Sequence, residues 1–206
     1  MSRTRKRALC GGLLWGVLAA CGGAASDGEL IGYKPPSVTR TADVAVTEAG
    51  ADEPFPLVAD EDGILVVFFG FTNCPDVCPG TLATLRNSLR KVGDELAARV
   101  DVAMITVDPE RDTAEKMPLY LGSFLERFHA LVPADEAELR AAEVPFGATS
   151  SVTKKPDGTV EVSHGGTAYV VDDDGNFILG WPFGLDADAI AHDIRILLAR
   201  NGTPSS

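Results

Sequence analysis

Two apolar runs, Ile64 to Phe69 and Val102 to Val107, constrain this chain more than any other feature. Both are rich in β-branched and aromatic residues and lack polar alternation, the pattern of strands buried on both faces. Between them Leu82, Leu85, Leu89, Val92, Leu96 and Val100 recur at spacings of three or four, which is one face of a helix. A buried strand, a helix and a second buried strand make a crossover unit, so the two strands belong side by side in one sheet.

The flanking segments extend that unit. Asp43 to Thr47 alternates as a strand and Phe55 to Val58 reads as its hairpin partner. Thr113 to Phe128 reads as a helix with Pro118 near its first turn or bending it, and Ala134 to Glu143 as a shorter one. Val152–Lys155 and Val160–Ser163 flank a Pro-Asp-Gly turn, and Thr167–Val171 and Phe177–Trp181 flank Asp172 to Asn176. Asp186 to Arg200 closes the chain as a helix with Ile190, Ile194, Leu197 and Leu198 inward. This order predicts an α/β, thioredoxin-like domain over residues 41–200, a central mixed sheet flanked by helices with an N-terminal β-hairpin. Residues 201–206 form a short C-terminal tail, and no internal repeat is visible.

The chain begins differently. Arg3, Arg5, Lys6 and Arg7 precede a mostly apolar run from Ala8 to Ala20, the layout of a secretory signal. That run is shorter than the roughly 20 residues a membrane span needs. Leu18-Ala19-Ala20-Cys21 resembles the lipobox of bacterial lipoproteins, in which the signal is cleaved before the cysteine and its thiol is acylated. The alternatives are an uncleaved anchor or cleavage elsewhere. The lipoprotein reading makes residues 1–20 a signal peptide and Cys21 the lipidation site. Residues 21–40, with their Gly, Ser and Pro, become a lipidated N-terminus and flexible tether. The expected location is the outer face of the cytoplasmic membrane.

Charge then matters. The 206 residues carry 18 Lys+Arg against 30 Asp+Glu, a net charge of -12. Removing the four positive charges of residues 1–20 leaves 14 against 30, or -16. So acidic a chain lacks the basic footprint that nucleic-acid binding needs, and anionic lipid would repel it. The lipid would therefore be the anchor. Of four cysteines, Cys10 leaves with the signal and Cys21 is acylated, so Cys74 and Cys78 are the free thiols of the mature chain.

Those two lie in Phe69-Gly70-Phe71-Thr72-Asn73-Cys74-Pro75-Asp76-Val77-Cys78-Pro79, between the first buried strand and the long helix. Pro79 fits the first helical position and biases Cys78 away from helical angles, which puts Cys78 at the N-cap. Unpaired N–H groups and the positive dipole end there favour a thiolate, the form that binds soft metals and attacks disulfides. Three residues separate the cysteines, where the thioredoxin redox motif has two, and the wider loop leaves room for an ion. A structural disulfide is the other reading in an exported protein, but so small a loop would remove little unfolded-state entropy.

Two thiolates alone make an incomplete site for most metals. His129 reads as a surface or capping residue at a helix end, and His192 lies on the solvent side of the last helix. His164 sits between two strands before Gly165-Gly166, where backbone can approach closely. In a thioredoxin-like sheet this loop faces the cysteine loop, though position alone leaves open whether His164 is a ligand. Two soft sulfurs with one imidazole suit Cu(I), and imidazole also accommodates Cu(II), while zinc normally takes a fourth ligand.

The cysteine segment, the later Val107-Asp108-Pro109-Glu110-Arg111-Asp112-Thr113, and a histidine before a strand and Asp-Gly turn closely resemble the SCO/SenC family. The likeness covers about residues 40–200. The resemblance implies a membrane-tethered, outward-facing copper chaperone that helps assemble the binuclear copper centre of cytochrome c oxidase. It places the metal ligands at Cys74, Cys78 and His164 and makes the copper-bearing oxidase subunit the partner, with a copper donor or thiol reductant upstream. Where the family usually has Asp before the histidine, this chain has Ser163, which removes a carboxylate neighbour for His164. Asp76 either adds negative charge near the cation or is a solvated loop residue. In the Asp108–Thr113 segment Asp112 or Thr113 is expected to cap the next helix and Arg111 to pair locally, with partner docking as another use. A binding and transfer protein is the leading reading rather than a turnover enzyme. The alternative is a thiol–disulfide oxidoreductase that keeps the oxidase's copper-ligand cysteines reduced, with Cys74 attacking and Cys78 resolving. A peroxidase would share the fold, but no acid/base constellation for it is visible.

Overall fold

A computed structural model describes residues 28–201. The signal segment 1–20, Cys21 and the tail 202–206 lie outside the described residues. In chain order the strands are β1 (Thr39–Arg40), β2 (Ala45–Val46), β3 (Phe55–Pro56), β4 (Ile64–Gly70), β5 (Val100–Thr106), β6 (His129–Leu131), β7 (Ser150–Lys154), β8 (Val160–His164), β9 (Thr167–Val171) and β10 (Asn176–Pro182). The helices are α1 (Val77–Val92), α2 (Asp94–Ala97), α3 (Lys116–Gly122), α4 (Glu136–Glu143) and α5 (Ala187–Asn201).

Six strands form one sheet in the order β1-β10-β9-β4-β5-β6. The β4–β5 and β5–β6 pairs are parallel, whereas β9 runs antiparallel to β4 and β10 antiparallel to β9. Every residue of β4 is buried, as a central strand covered on both faces requires. The period of two divides it: Ile64, Val66 and Phe68 pack with Leu82 and Leu85 of α1 and Ile190, Ile194 and Leu197 of α5. Leu65, Val67 and Phe69 face Leu139, Ala142, Phe146 and Phe177 on the other side. The α/β mixed sheet flanked by helices, with the β2–β3 hairpin before it, is the expected thioredoxin-like architecture.

Several element boundaries differ from the sequence reading. The helix expected to run to Val100 ends at Val92, where Gly93 turns to φ 88°, a left-handed angle that favours glycine. Leu96 still packs against the core from the short α2, and Val100 opens β5. The helix expected over 113–128 is only Lys116–Gly122. Phe128 is followed by β6, a third parallel strand of three residues, too short to show a period. Asp135 caps α4 by accepting the Glu138 N–H at 2.9 Å.

The tether also changes. From Gly28 onward the segment lies on the domain instead of swinging free. Asp193 of α5, a carboxylate with 0% exposure, accepts the Ile31 and Gly32 N–H groups at 2.7 and 2.8 Å and the Trp181 indole at 2.9 Å. Tyr33 pairs with Gly180, and Thr39–Arg40 adds an edge strand to β10. Glycine and proline content reads as flexible, but a buried carboxylate that takes three donors outweighs that composition. Among the described residues no helix is long and apolar enough to cross a membrane.

Candidate metal centre

The centre forms where β4 hands over to α1. Gly70 ends the strand, the Phe71 carbonyl accepts the Cys74 N–H at 3.2 Å, and Asp76 stands at the N-cap without a side-chain bond. Helix α1 begins at Val77, so Cys78 lies within its first turn rather than at the cap. Pro79 is compatible with this because the first four N–H groups of a helix have no intrahelical acceptor anyway. The Cys78 N–H instead donates to Cys74 Sγ at 3.4 Å. Cys74 is half-buried and Cys78 is 1% exposed, and neither forms a disulfide.

Burial decides the state of Cys78. Its thiol is pushed up to about 12, first by loss of solvent and then by Cys74 and the Asp112 charge, against a lowering contact with the Phe71 backbone. The helix-end effect expected to favour thiolate is therefore overridden at this residue. At neutral pH the metal-free Cys78 carries its proton.

His164 arrives at the end of β8, a two-stranded ribbon with β7 that pairs Ser150 with His164. Its Nδ1 lies 2.8 Å from the Gly165 carbonyl, which can only accept. That bond puts the proton on Nδ1 and leaves the Nε2 lone pair free. Nε2 faces Cys78 Sγ at 3.7 Å, and the Phe71 ring stands edge-on to the imidazole with centroids 5.7 Å apart. A main-chain carbonyl thus orients His164, the task for which Ser163 offers no carboxylate.

The Cys74 and Cys78 sulfurs and a His164 ring nitrogen all lie within 4.8 Å of one another. With metal–thiolate bonds of about 2.3 Å, two ligands of one ion can be at most about 4.6 Å apart. Closing by a few tenths of an ångström brings all three into range. Two soft sulfurs and one imidazole fit a soft ion of low coordination number. Asp76 is exposed and stands outside this three-residue cluster.

The other histidines are occupied. His129 opens β6, not a helix end, stacks on Phe55 at 3.9 Å and meets Glu48 at 2.9 Å through Nδ1. His192 Nε2 contacts the Glu29 carbonyl at 3.1 Å on the outer face of α5.

Two positions whose part in the centre the sequence did not reveal shape it. A Cβ on Gly70 would stand 2.8 Å from Cys78 Sγ and 3.0 Å from Met104 Cε. Only glycine leaves that volume to the sulfur, so Gly70→Ala is expected to displace Cys78, weaken metal binding and cost about 1–3 kcal/mol of stability. Competition titration and thermal unfolding check both effects. A glycine closing a strand just before the cysteine loop was the available signal. The second is Asp112. Arg111 does pair locally, its Nε 2.5 Å from Asp108 Oδ2, and Thr113 Oγ1 accepts the Lys116 N–H at 3.3 Å. Asp112, however, does not cap α3; its carboxylate turns inward to Thr72 and Thr106.

The SCO1/SenC family model matches residues 59–199, more than half of the chain. A mitochondrial SCO2 homolog of Danio rerio is 36% identical over 116 residues, which are 55% of this chain and 41% of that protein. The human SCO2 homolog is 30% identical over 132 residues, 64% of this chain and 50% of that protein. The chain spans between about two fifths and three fifths of the length of such curated relatives. Bradyrhizobium japonicum ScoI with copper bound superposes with a TM-score of 0.64 at 28% identity, covering 80% of this chain and 98% of that one. The apo Sco1 protein of Thermus thermophilus does so at 0.67 and 29%, covering 84% and 95%. The family match runs through both loops that bring Cys74, Cys78 and His164 together, and with it the chain is a member of the SCO1/SenC family.

Proposed function

We propose that this protein is a copper metallochaperone in which the Cys74 and Cys78 thiolates and His164 Nε2 hold one copper ion, Cu(I) or Cu(II). The observation that carries the reading is the convergence of three soft or borderline donors from two separate loops, with the imidazole tautomer already set for ligation. Membership of a family with copper-bound relatives supports the choice of metal. Cys78 gives up its proton when copper binds, and the half-buried Cys74 provides the side from which a client's thiolates can take the ion by ligand exchange. The client is the copper-bearing subunit of cytochrome c oxidase, as the family resemblance implies. The protein binds and transfers its cargo rather than turning over a substrate. It works on the outer face of the cytoplasmic membrane, held by a lipid on Cys21 after removal of residues 1–20.

The second reading draws on the unequal exposure of the two thiols. Cys74 attacks a client disulfide, forming a mixed disulfide and releasing one client thiolate. Cys78 then displaces the second client thiolate, loses its own proton to solvent and leaves a Cys74–Cys78 disulfide. An external thiol reductant must restore the pair.

Deleting the protein in its host and assaying oxidase separates the two. The wild-type chain restores activity, His164→Ala does not, and excess copper replaces the protein in part. Full rescue by His164→Ala overturns the three-ligand reading in favour of thiol exchange. Cys21→Ser is expected to release the protein from membranes; unchanged membrane attachment contradicts the anchor.

A further inference from the structure

The Asp108–Thr113 segment holds a carboxylate that metal ligation does not use. Asp112 is 0% exposed. Its Oδ2 accepts the Thr72 N–H and the Thr106 hydroxyl, both at 2.8 Å, and its Oδ1 accepts the Thr72 hydroxyl at 2.5 Å. Thr106 is the last residue of β5, and its hydroxyl also accepts the Asp108 N–H at 3.0 Å. Thr72 stands two residues before Cys74. The carboxylate therefore bolts the approach to Cys74 onto the end of a central strand.

We propose that Asp112 is a positioning residue that fixes Cys74 for metal capture through its double bond to Thr72. Burying a carboxylate is costly unless it is fully paired. This one is paired with the main-chain and side-chain donors of a single loop residue, which restrains both the path and the rotation of Thr72. A carboxylate accepts at both oxygens with its full charge; an asparagine would place its NH2 against the Thr72 hydroxyl, reverse that bond and lose the charge that strengthens the other two. Lys116 adds contacts to Asn73, the Arg111 carbonyl and Asp112 at 3.4, 3.3 and 3.7 Å. These are long, and the lysine side chain is 42% exposed, so they restrain the loop far less. With Asp112 in place, Cys74 Sγ is held on the Cys78 N–H within reach of the other two donors. Without it, residues 72–74 keep the Cys74 N–H bond to Phe71, the Cys78 N–H on Cys74 Sγ and the long Lys116 contact to Asn73.

The inference rests on Cys74 being a copper ligand, so its test includes a readout that needs no metal. Three full-length variants, Asp112→Asn, Thr72→Val and Thr72→Ser, are compared with wild type by Cu(I) competition titration and by the Cu(II)–thiolate absorption band. The rate at which iodoacetamide modifies Cys74 at neutral pH is the third readout, buried and protonated Cys78 reacting slowly. Asp112→Asn is expected to lower copper affinity by about 10- to 100-fold, the range for removing a group that orients a ligand. It also shifts the absorption band and speeds Cys74 modification several-fold. Thr72→Val does the same to a smaller extent, and Thr72→Ser, which keeps the hydroxyl, behaves as wild type. Wild-type affinity, spectrum and alkylation rate in both Asp112→Asn and Thr72→Val overturn the proposal; should Asp112→Asn fail to fold, Thr72→Val alone decides. If wild-type protein binds no copper, the metal reading fails, and unchanged alkylation in the variants still refutes Asp112 as a positioning residue.

Discussion

Replacing His164 with alanine is expected to lower the copper affinity of this protein by at least about 100-fold while Cys74 keeps its wild-type rate of modification by iodoacetamide. The imidazole comes from the end of β8, on a different loop from both thiols, so its loss leaves their scaffold in place. Its Nδ1 is tied to the Gly165 carbonyl and its Nε2 stands 3.7 Å from Cys78 Sγ, so the ligand atom is oriented before metal arrives. Removing a group that merely orients a ligand commonly costs 10- to 100-fold in affinity, which makes the upper end of that range the floor for a ligand itself. Competition with a Cu(I) chelator measures the first effect and mass spectrometry of alkylated protein the second. Equal losses of both would mean that the variant damages the loop as a whole. Undiminished affinity would mean that the two thiols suffice.

Copper affinity is also expected to rise about tenfold per pH unit between pH 6 and pH 8 from Cys78 alone. The metal binds the thiolate, yet burial has pushed this thiol up to about 12, so the metal-free protein is protonated there throughout the range. Each proton displaced on binding makes affinity increase with pH, one factor of ten per unit. Titration at three pH values, with an indicator dye to count released protons, tests this. A flat profile would show that Cys78 is not a ligand. The same group gives the metal-free fold an alkaline weakness. Its folded-state value lies above the ordinary thiol value of 9.0, so it stabilises the fold below that pH. That contribution is lost as pH rises through the window from 9.0 to about 12, where the unfolded chain ionises first.

How far the sequence discloses this molecule depends on the range over which each signal acts. The β4, α1 and β5 core was legible because the strands are runs of six mostly apolar residues and the helix repeats with one period, and the hairpin around Asp157-Gly158 because turn chemistry is local. Strand β6 was not, since His129-Ala130-Leu131 carries no period and is defined by pairing with β5. The docking of residues 28–40 depends on Asp193, more than 150 residues away from the N–H groups it accepts. At the centre, cysteine spacing and the glycines after His164 marked all three candidate ligands. Asp112 was hidden because its charged neighbours suggest a local helix cap, while its partner Thr72 is 40 residues distant. Gly70 was hidden because the atom that requires its bare backbone, Cys78 Sγ, comes from the next element. The misplaced helix start at Cys78 has a similar origin, since proline rules describe preference and the fold selected the less common angle.

X-ray absorption at the copper edge, on protein loaded with one equivalent of Cu(I), tests the central claim most directly. The account predicts a first shell of two sulfur scatterers and one imidazole nitrogen, falling to two sulfurs in His164→Ala. A shell of nitrogen and oxygen alone, or one unchanged by removing Cys78 or His164, would contradict it.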